Sequence, residues 1–292
     1  MKTLLFFLMN ALIILTFLFT TIGSISAHMS MMFPIPRSHP LALKKPFNLS
    51  PEETDKCIIG PLNKGRNPTC ESHELNFPCG GYKPNLKLVT KLKAGQVFNV
   101  SFLSLQYEDS IFFDEKEERF FVNKEFYDNH HKKDNQGRHN GGQCEFSLSY
   151  DGGKTYSKIA TYHKSCPDMA YNWTVKIPDN APSCRSKIDG KKFGDCIFSW
   201  TWLSNTTQEF YQSCADIEII SNSTSPLKKE DITKVNLPGI FNETVNVPGG
   251  LDPSKCLSDA DEDSGPNEGR AVCNAEFSGP DIEDIRRNLK SQ

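Results

Sequence analysis

Four residues of this 292-residue chain have the types and neighbours to do chemistry together: His28, His139, Glu209 and Tyr211. His28 stands out because the segment before it reads as removable. Residues 1–27 open with Met1-Lys2, continue as an apolar run over 4–19, and end in Ser24-Ile25-Ser26-Ala27. A basic start, an apolar stretch and a small-residue end make a secretory signal peptide. Cleavage after Ala27 would free the α-amine of His28. One residue would then offer two nitrogens, the amine and ring Nδ1, which can close a chelate ring on a metal. Nitrogen-rich planar coordination of that kind favours Cu(II).

The partners of His28 come from two distant segments. His139 lies in Arg138-His139-Asn140-Gly141-Gly142-Gln143-Cys144, just before a strand-like run. Glycines there let the backbone approach a site closely. Glu209-Phe210-Tyr211 opens another strand-like run, and the period of two puts Glu209 and Tyr211 on one side. The expectation is three nitrogen donors from His28 and His139, with Tyr211 in an axial position and Glu209 as a hydrogen-bonding group beside the metal.

Elements able to position these residues dominate residues 86–220. Residues 95–103 are rich in strand formers, and 144–150 alternate cleanly, with Phe146, Leu148 and Tyr150 sharing one side. Asp151-Gly152-Gly153 marks a turn before a return strand over 155–162. Residues 173–177, 196–202 and 209–219 read as further strands, with Phe198, Trp200 and Trp202 on one face. Trp200 and Trp202 read as core rather than as a platform for sugars. Short strands separated by turns predict an all-β fold, an antiparallel immunoglobulin/fibronectin-like β-sandwich. Residues 28–85 read as long loops pinned by disulfides, and the charged, aromatic stretch 106–136 reads as an insertion with a short helix. The expected organisation is a signal peptide over 1–27, a β-sandwich domain over 28–221, and a linker with a poorly structured tail over 222–292.

Composition agrees with export. All ten cysteines follow residue 27, an even number without a CxxC pair, which reads as a disulfide framework of undetermined pairing. Within the tail, Cys256 is expected to pair with Cys273. Asn48, Asn99, Asn172, Asn205, Asn222 and Asn242 each begin an N-x-S/T acceptor. The net charge of −3 leaves no electrostatic footprint for nucleic acid. The charged C-terminus lacks the apolar tail of a GPI signal. His130-His131 reads as a solvated pair, and His39, His73 and His163 show no chelating spacing.

Three stretches together resemble the fungal lytic polysaccharide monooxygenases, closest to the chitin-active auxiliary activity family eleven. They are His28-Met29-Ser30-Met31-Met32-Phe33-Pro34-Ile35-Pro36, the run from His139 through Cys144 to Gly153, and Glu209 to Ala215 following Trp200-Thr201-Trp202. The resemblance covers roughly residues 28–220. It implies one copper ion held by His28 and His139, with Tyr211 axial and Glu209 close by. It also implies oxidative cleavage of a polysaccharide, chitin foremost, with an external electron donor and O₂ or H₂O₂ as co-substrate. The implied protein is secreted and monomeric, with no nucleic acid partner and no membrane attachment after cleavage. Arg37-Ser38 and Asn140 depart from the family, which carries Tyr-Gly and Gly there, and these departures are expected near the binding surface. The competing reading is a non-catalytic secreted copper-binding protein of the same fold. A third is a carbohydrate-binding module with incidental histidines.

Overall fold

Strands form where the sequence alternates or runs apolar, and they close on one another as two facing sheets. A computed structural model describes residues 28–62, 75–123, 125, 137, 139, 141–162, 166–169, 173–184, 194–204, 209–234, 237 and 277–278. In chain order its strands are β1 (Met29–Phe33), β2 (Thr90–Lys93), β3 (Val97–Ser104), β4 (Ile111–Asp114), β5 (Arg119–Val122), β6 (Gly142–Ser149), β7 (Ser157–Tyr162), β8 (Trp173–Lys176), β9 (Ile197–Ser204), β10 (Phe210–Ile220) and β11 (Phe277–Ser278). One sheet has the order β1-β3-β8 and the other β11-β7-β6-β9-β10-β2. β4 and β5 form a separate hairpin.

The expected all-β sandwich is observed. Its pairings are antiparallel, except that β2 joins the edge of the large sheet parallel to β10, with Thr90 opposite Ile217. Aromatic side chains from the two inner faces fill the space between the sheets. Phe102 of β3 packs on Trp200 of β9 at 4.8 Å between ring centroids, and Phe98 packs on Phe198 at 5.4 Å. Trp173, Trp200 and Trp202 are fully buried. Side chains of this size bury about 150–250 Å² each and dominate the energetics of a core.

Two segments add elements to their sequence reading. Residues 28–85 are not loops throughout, because β1 pairs antiparallel with β3 and brings Met29 opposite Ser104. The 106–136 stretch was expected to hold a helix. Its described part holds a short 3-10 helix (Leu105–Ser110), then the β4-β5 hairpin, which the reading had not foreseen, and a helical Glu125; residues 124 and 126–136 lie outside the described ones. The period of two explains the hairpin: Phe113 and Phe120 turn inward to pack near Phe47, while Phe112 is exposed.

Disulfides staple the sandwich at Cys79–Cys214, Cys144–Cys166 and Cys184–Cys196, and Cys57 is disulfide-bonded as well. Cys256 and Cys273 lie outside the described residues. Among the described residues beyond 221 the only strand is β11, which adds to the β7 edge. The chain there still packs. Thr233 donates its backbone N–H and its hydroxyl to the buried Glu145 carboxylate at 2.6 and 2.7 Å, and Ile232 and Leu237 are buried. Among the described residues no helix is long and apolar enough to cross a membrane.

Candidate metal centre

The β1-β3 pairing carries His28, the residue before β1, to one end of the sandwich. Three antiparallel strands of the large sheet bring its partners to that end. β9 lies between β6 and β10, so Trp202 has Cys144 on one side and Tyr211 on the other. Gly142 opens β6, and the loop just before it holds His139. Glu209 immediately precedes β10, where its backbone N–H donates to Ser204 Oγ at 2.8 Å and its carbonyl accepts from Ser204 N–H.

Trp202 supports the group from below. Its ring stacks on Tyr211 at 4.4 Å, on His139 at 5.7 Å and on Trp200 at 6.1 Å. Its indole N–H donates to Gly141 O at 3.3 Å, which ties down the loop that carries His139. That loop needs unusual backbone. Gly141 has φ +77°, and His139 itself sits in the left-handed region at φ +49°. Non-glycine residues are uncommon there, and such conformations persist only when the surroundings hold them.

The side chains converge. Ligand atoms of His28, His139 and Glu209 all lie within 4.8 Å of one another, close enough to hold one metal ion. The His28 ring lies 5.3 Å from that of His139 and 5.7 Å from that of Tyr211. Tyr211 donates its hydroxyl to Glu209 Oε2 at 2.5 Å, and the Tyr211 hydroxyl oxygen lies 3.2 Å from His139 Nε2. Glu209 Oε2 is 3.4 Å from that nitrogen. Burial raises the Tyr211 pKa well above the usual phenol value, and the adjacent Glu209 carboxylate adds to the effect. The phenol therefore stays protonated and acts as a donor.

All four residues singled out in the sequence thus meet at one place. Sequence reasoning passed over what holds them. Trp202 was read only as core, yet it is also the floor of the cluster. His39 carried no signal at all. It is fully buried, its Nδ1 accepts from the Leu41 N–H at 3.1 Å, and its Nε2 faces Ser30 Oγ at 3.1 Å, two residues after His28 on β1. Burial lowers its pKa to about 3, which keeps the ring neutral. With Nδ1 accepting, the proton sits on Nε2 and is donated to Ser30. His73, His130, His131 and His163 lie outside the described residues, as does Asn140.

Arg37 was expected near a binding surface and is instead buried. Its Nε and Nη2 donate to Asp216 Oδ1 at 3.0 and 2.6 Å, and its remaining donors reach Tyr82 O and Gly194 O. The departure at this position belongs to the interior, because a guanidinium can be buried only where partners of this kind surround it.

No family model matches the chain. The chain is similar to a curated protein of Aspergillus fumigatus (strain CBS 144.89 / FGSC A1163 / CEA10) described as AA11 family lytic polysaccharide monooxygenase A. The two are 26% identical over 204 residues, which covers 69% of this chain and 68% of that protein. The resemblance read from the three sequence stretches is thereby supported.

Proposed function

We propose that this chain is a secreted, copper-dependent lytic polysaccharide monooxygenase that oxidatively cleaves glycosidic bonds in chitin or a related β-linked polysaccharide. The observation that carries the reading is the meeting of His28, His139, Glu209 and Tyr211 from three distant segments. The similarity to the Aspergillus fumigatus protein supports it independently. Residues 28–221 would form the catalytic unit, freed by removal of 1–27, with 222–292 as linker and tail. The chain would work outside the cell as a monomer on a polysaccharide surface, supplied with electrons by an external donor.

The donor set suits copper. Two imidazoles and a terminal amine are nitrogen ligands that tolerate both of its oxidation states. His28 and His139 would hold the ion. When bound, copper supplies one-electron redox chemistry toward O₂ or H₂O₂.

The chain's own groups set the surroundings. Trp202 fixes the plane of the His139 ring through stacking and the height of its loop through Gly141. Tyr211 offers a protonated phenol, held by its hydrogen bond to Glu209 and close to His139. Glu209 holds that phenol with one carboxylate oxygen, and its carboxylate is placed to accept or return a proton beside the metal ligands.

The test uses protein that begins at His28. Copper binding is measured by calorimetry, and products from chitin, cellulose and pectin with a reductant are examined by mass spectrometry. Oxidised oligosaccharides from chitin are expected. Copper binding without oxidised products would leave a copper-capture protein instead. Glu209→Gln is expected to keep copper affinity within about 10-fold and to lower turnover; unchanged turnover would remove the proton-handling role.

A further inference from the structure

The end of the sandwich remote from His28 carries a groove of about 970 Å³. Its position follows from topology. Phe33 closes β1, which starts beside His28. Gln96 precedes β3, whose other end pairs with Met29. Leu92 of β2 pairs with Ile219, at the end of β10 away from Tyr211. All three residues line the groove. Its walls combine aromatic rings of Phe33, Phe47 and Phe113 with charged groups such as Lys91 and Glu115, and its lip includes Asn48.

Asn48 has the features of a modified residue. It begins the acceptor Asn48-Leu49-Ser50, it is exposed, and it holds a left-handed φ of +48°, a conformation asparagine tolerates better than most residues. Its Nδ2 donates to Pro46 O at 3.2 Å. One N–H remains on that nitrogen after glycosylation, so this bond can persist.

We propose that Asn48 is N-glycosylated and that the first sugars of its glycan lie in this groove, covering the aromatic rings. The proposal rests on the export reading and not on the copper reading. In the transfer, Asn48 Nδ2 forms a bond to C1 of an N-acetylglucosamine. The bond from C1 to a lipid-linked pyrophosphate breaks, the electron pair leaves with the pyrophosphate, and the amide loses one proton. A pyranose has an apolar face and a polar rim, which matches walls that include both rings and charged carboxylates and ammonium groups. Tethering at the lip supplies the sugar at an effective concentration in the mM range, so weak contacts suffice to keep it in place. Asn222 is the internal comparison. It begins an acceptor and is exposed, but it does not line the groove.

The test is made on full-length protein secreted from a eukaryotic host. Glycopeptide mass spectrometry is expected to find Asn48 occupied. Peptide N-glycosidase acting on native protein should release the Asn48 glycan at least about tenfold more slowly than the Asn222 glycan, with the rates converging after denaturation. Asn48→Asp keeps a side chain suited to the left-handed turn and should lower the melting temperature by about 2–4 °C, whereas Asn222→Asp should not. An unmodified Asn48 overturns the proposal. So does an Asn48 glycan released from native protein as fast as that on Asn222. Copper affinity stays unchanged in Asn48→Asp, so this experiment fails or succeeds independently of the metal site.

Discussion

Two polar clusters draw on the same strand, β10, and they differ in how their valences are spent. Near one end of the strand, Tyr211 meets Glu209, His139 and His28. Five residues on, Asp216 meets Arg37. The second cluster is closed. Asp216 Oδ1 takes two guanidinium donors, Oδ2 accepts the Asn85 N–H at 2.9 Å, and the other Arg37 donors end on carbonyls. The first cluster sets three groups with lone pairs within reach of one another. Ring nitrogens and carboxylate oxygens facing one point suit a cation. A guanidinium wrapped in oxygens suits nothing further and serves only the fold. Burial of polar groups is therefore not in itself a mark of function; what matters is whether the groups satisfy each other or point at a common centre.

The comparison breaks most readily at the metal ligands. His28→Ala and His139→Ala should each lower copper affinity beyond the roughly 10–100-fold typical of losing a supporting group. One extra residue ahead of His28 should do the same, because it converts the amine to an amide. Calorimetric titration checks all three, and the melting temperature of the metal-free protein should change little.

Asp216→Ala should behave the opposite way. It leaves the Arg37 guanidinium buried without its carboxylate, at a cost of about 3–5 kcal/mol in denaturant unfolding. Copper affinity of the folded fraction should be preserved. A large loss of affinity would show that the two ends of β10 are coupled.

His39 sharpens the comparison through pH. Its folded pKa of about 3 lies below the unfolded value of 6.5, so the unfolded chain binds the extra proton between those values. The stabilisation it gives is full above pH 6.5 and is lost as pH falls toward 3. Wild type should lose roughly 2 kcal/mol more than His39→Gln between pH 7 and pH 5, read by urea unfolding.

The smallest effect is expected from Tyr211→Phe. It removes one hydroxyl bonded to Glu209 and close to His139. Copper affinity should shift by about tenfold or less, with a changed copper EPR spectrum as the clearer readout.

Much of this was legible in the residues themselves. Alternation in 144–150 and 196–202 marked β6 and β9, because one face of each must be apolar to pack on the other sheet. The pairing of Glu209 with Tyr211 followed from the same period. β1 was not legible, since its Met-Ser-Met-Met-Phe sequence has neither alternation nor β-branched residues, and it becomes a strand only because β3 offers an edge. The hairpin at 111–122 was not legible either, because a charged and aromatic run has no distinct period when only its inward half packs.

The sequence by itself determined the types of the chemical groups, the order in which they occur and the local period that gives each strand an inside. The tertiary structure alone decided that His28 and His139 lie side by side, that Trp202 supports both His139 and Tyr211, and that Arg37 turns inward to Asp216. Local preference acts over a few residues, whereas all of these contacts except that of Trp202 with Tyr211 join segments more than sixty residues apart. They form only when two sheets bury their aromatic faces against each other.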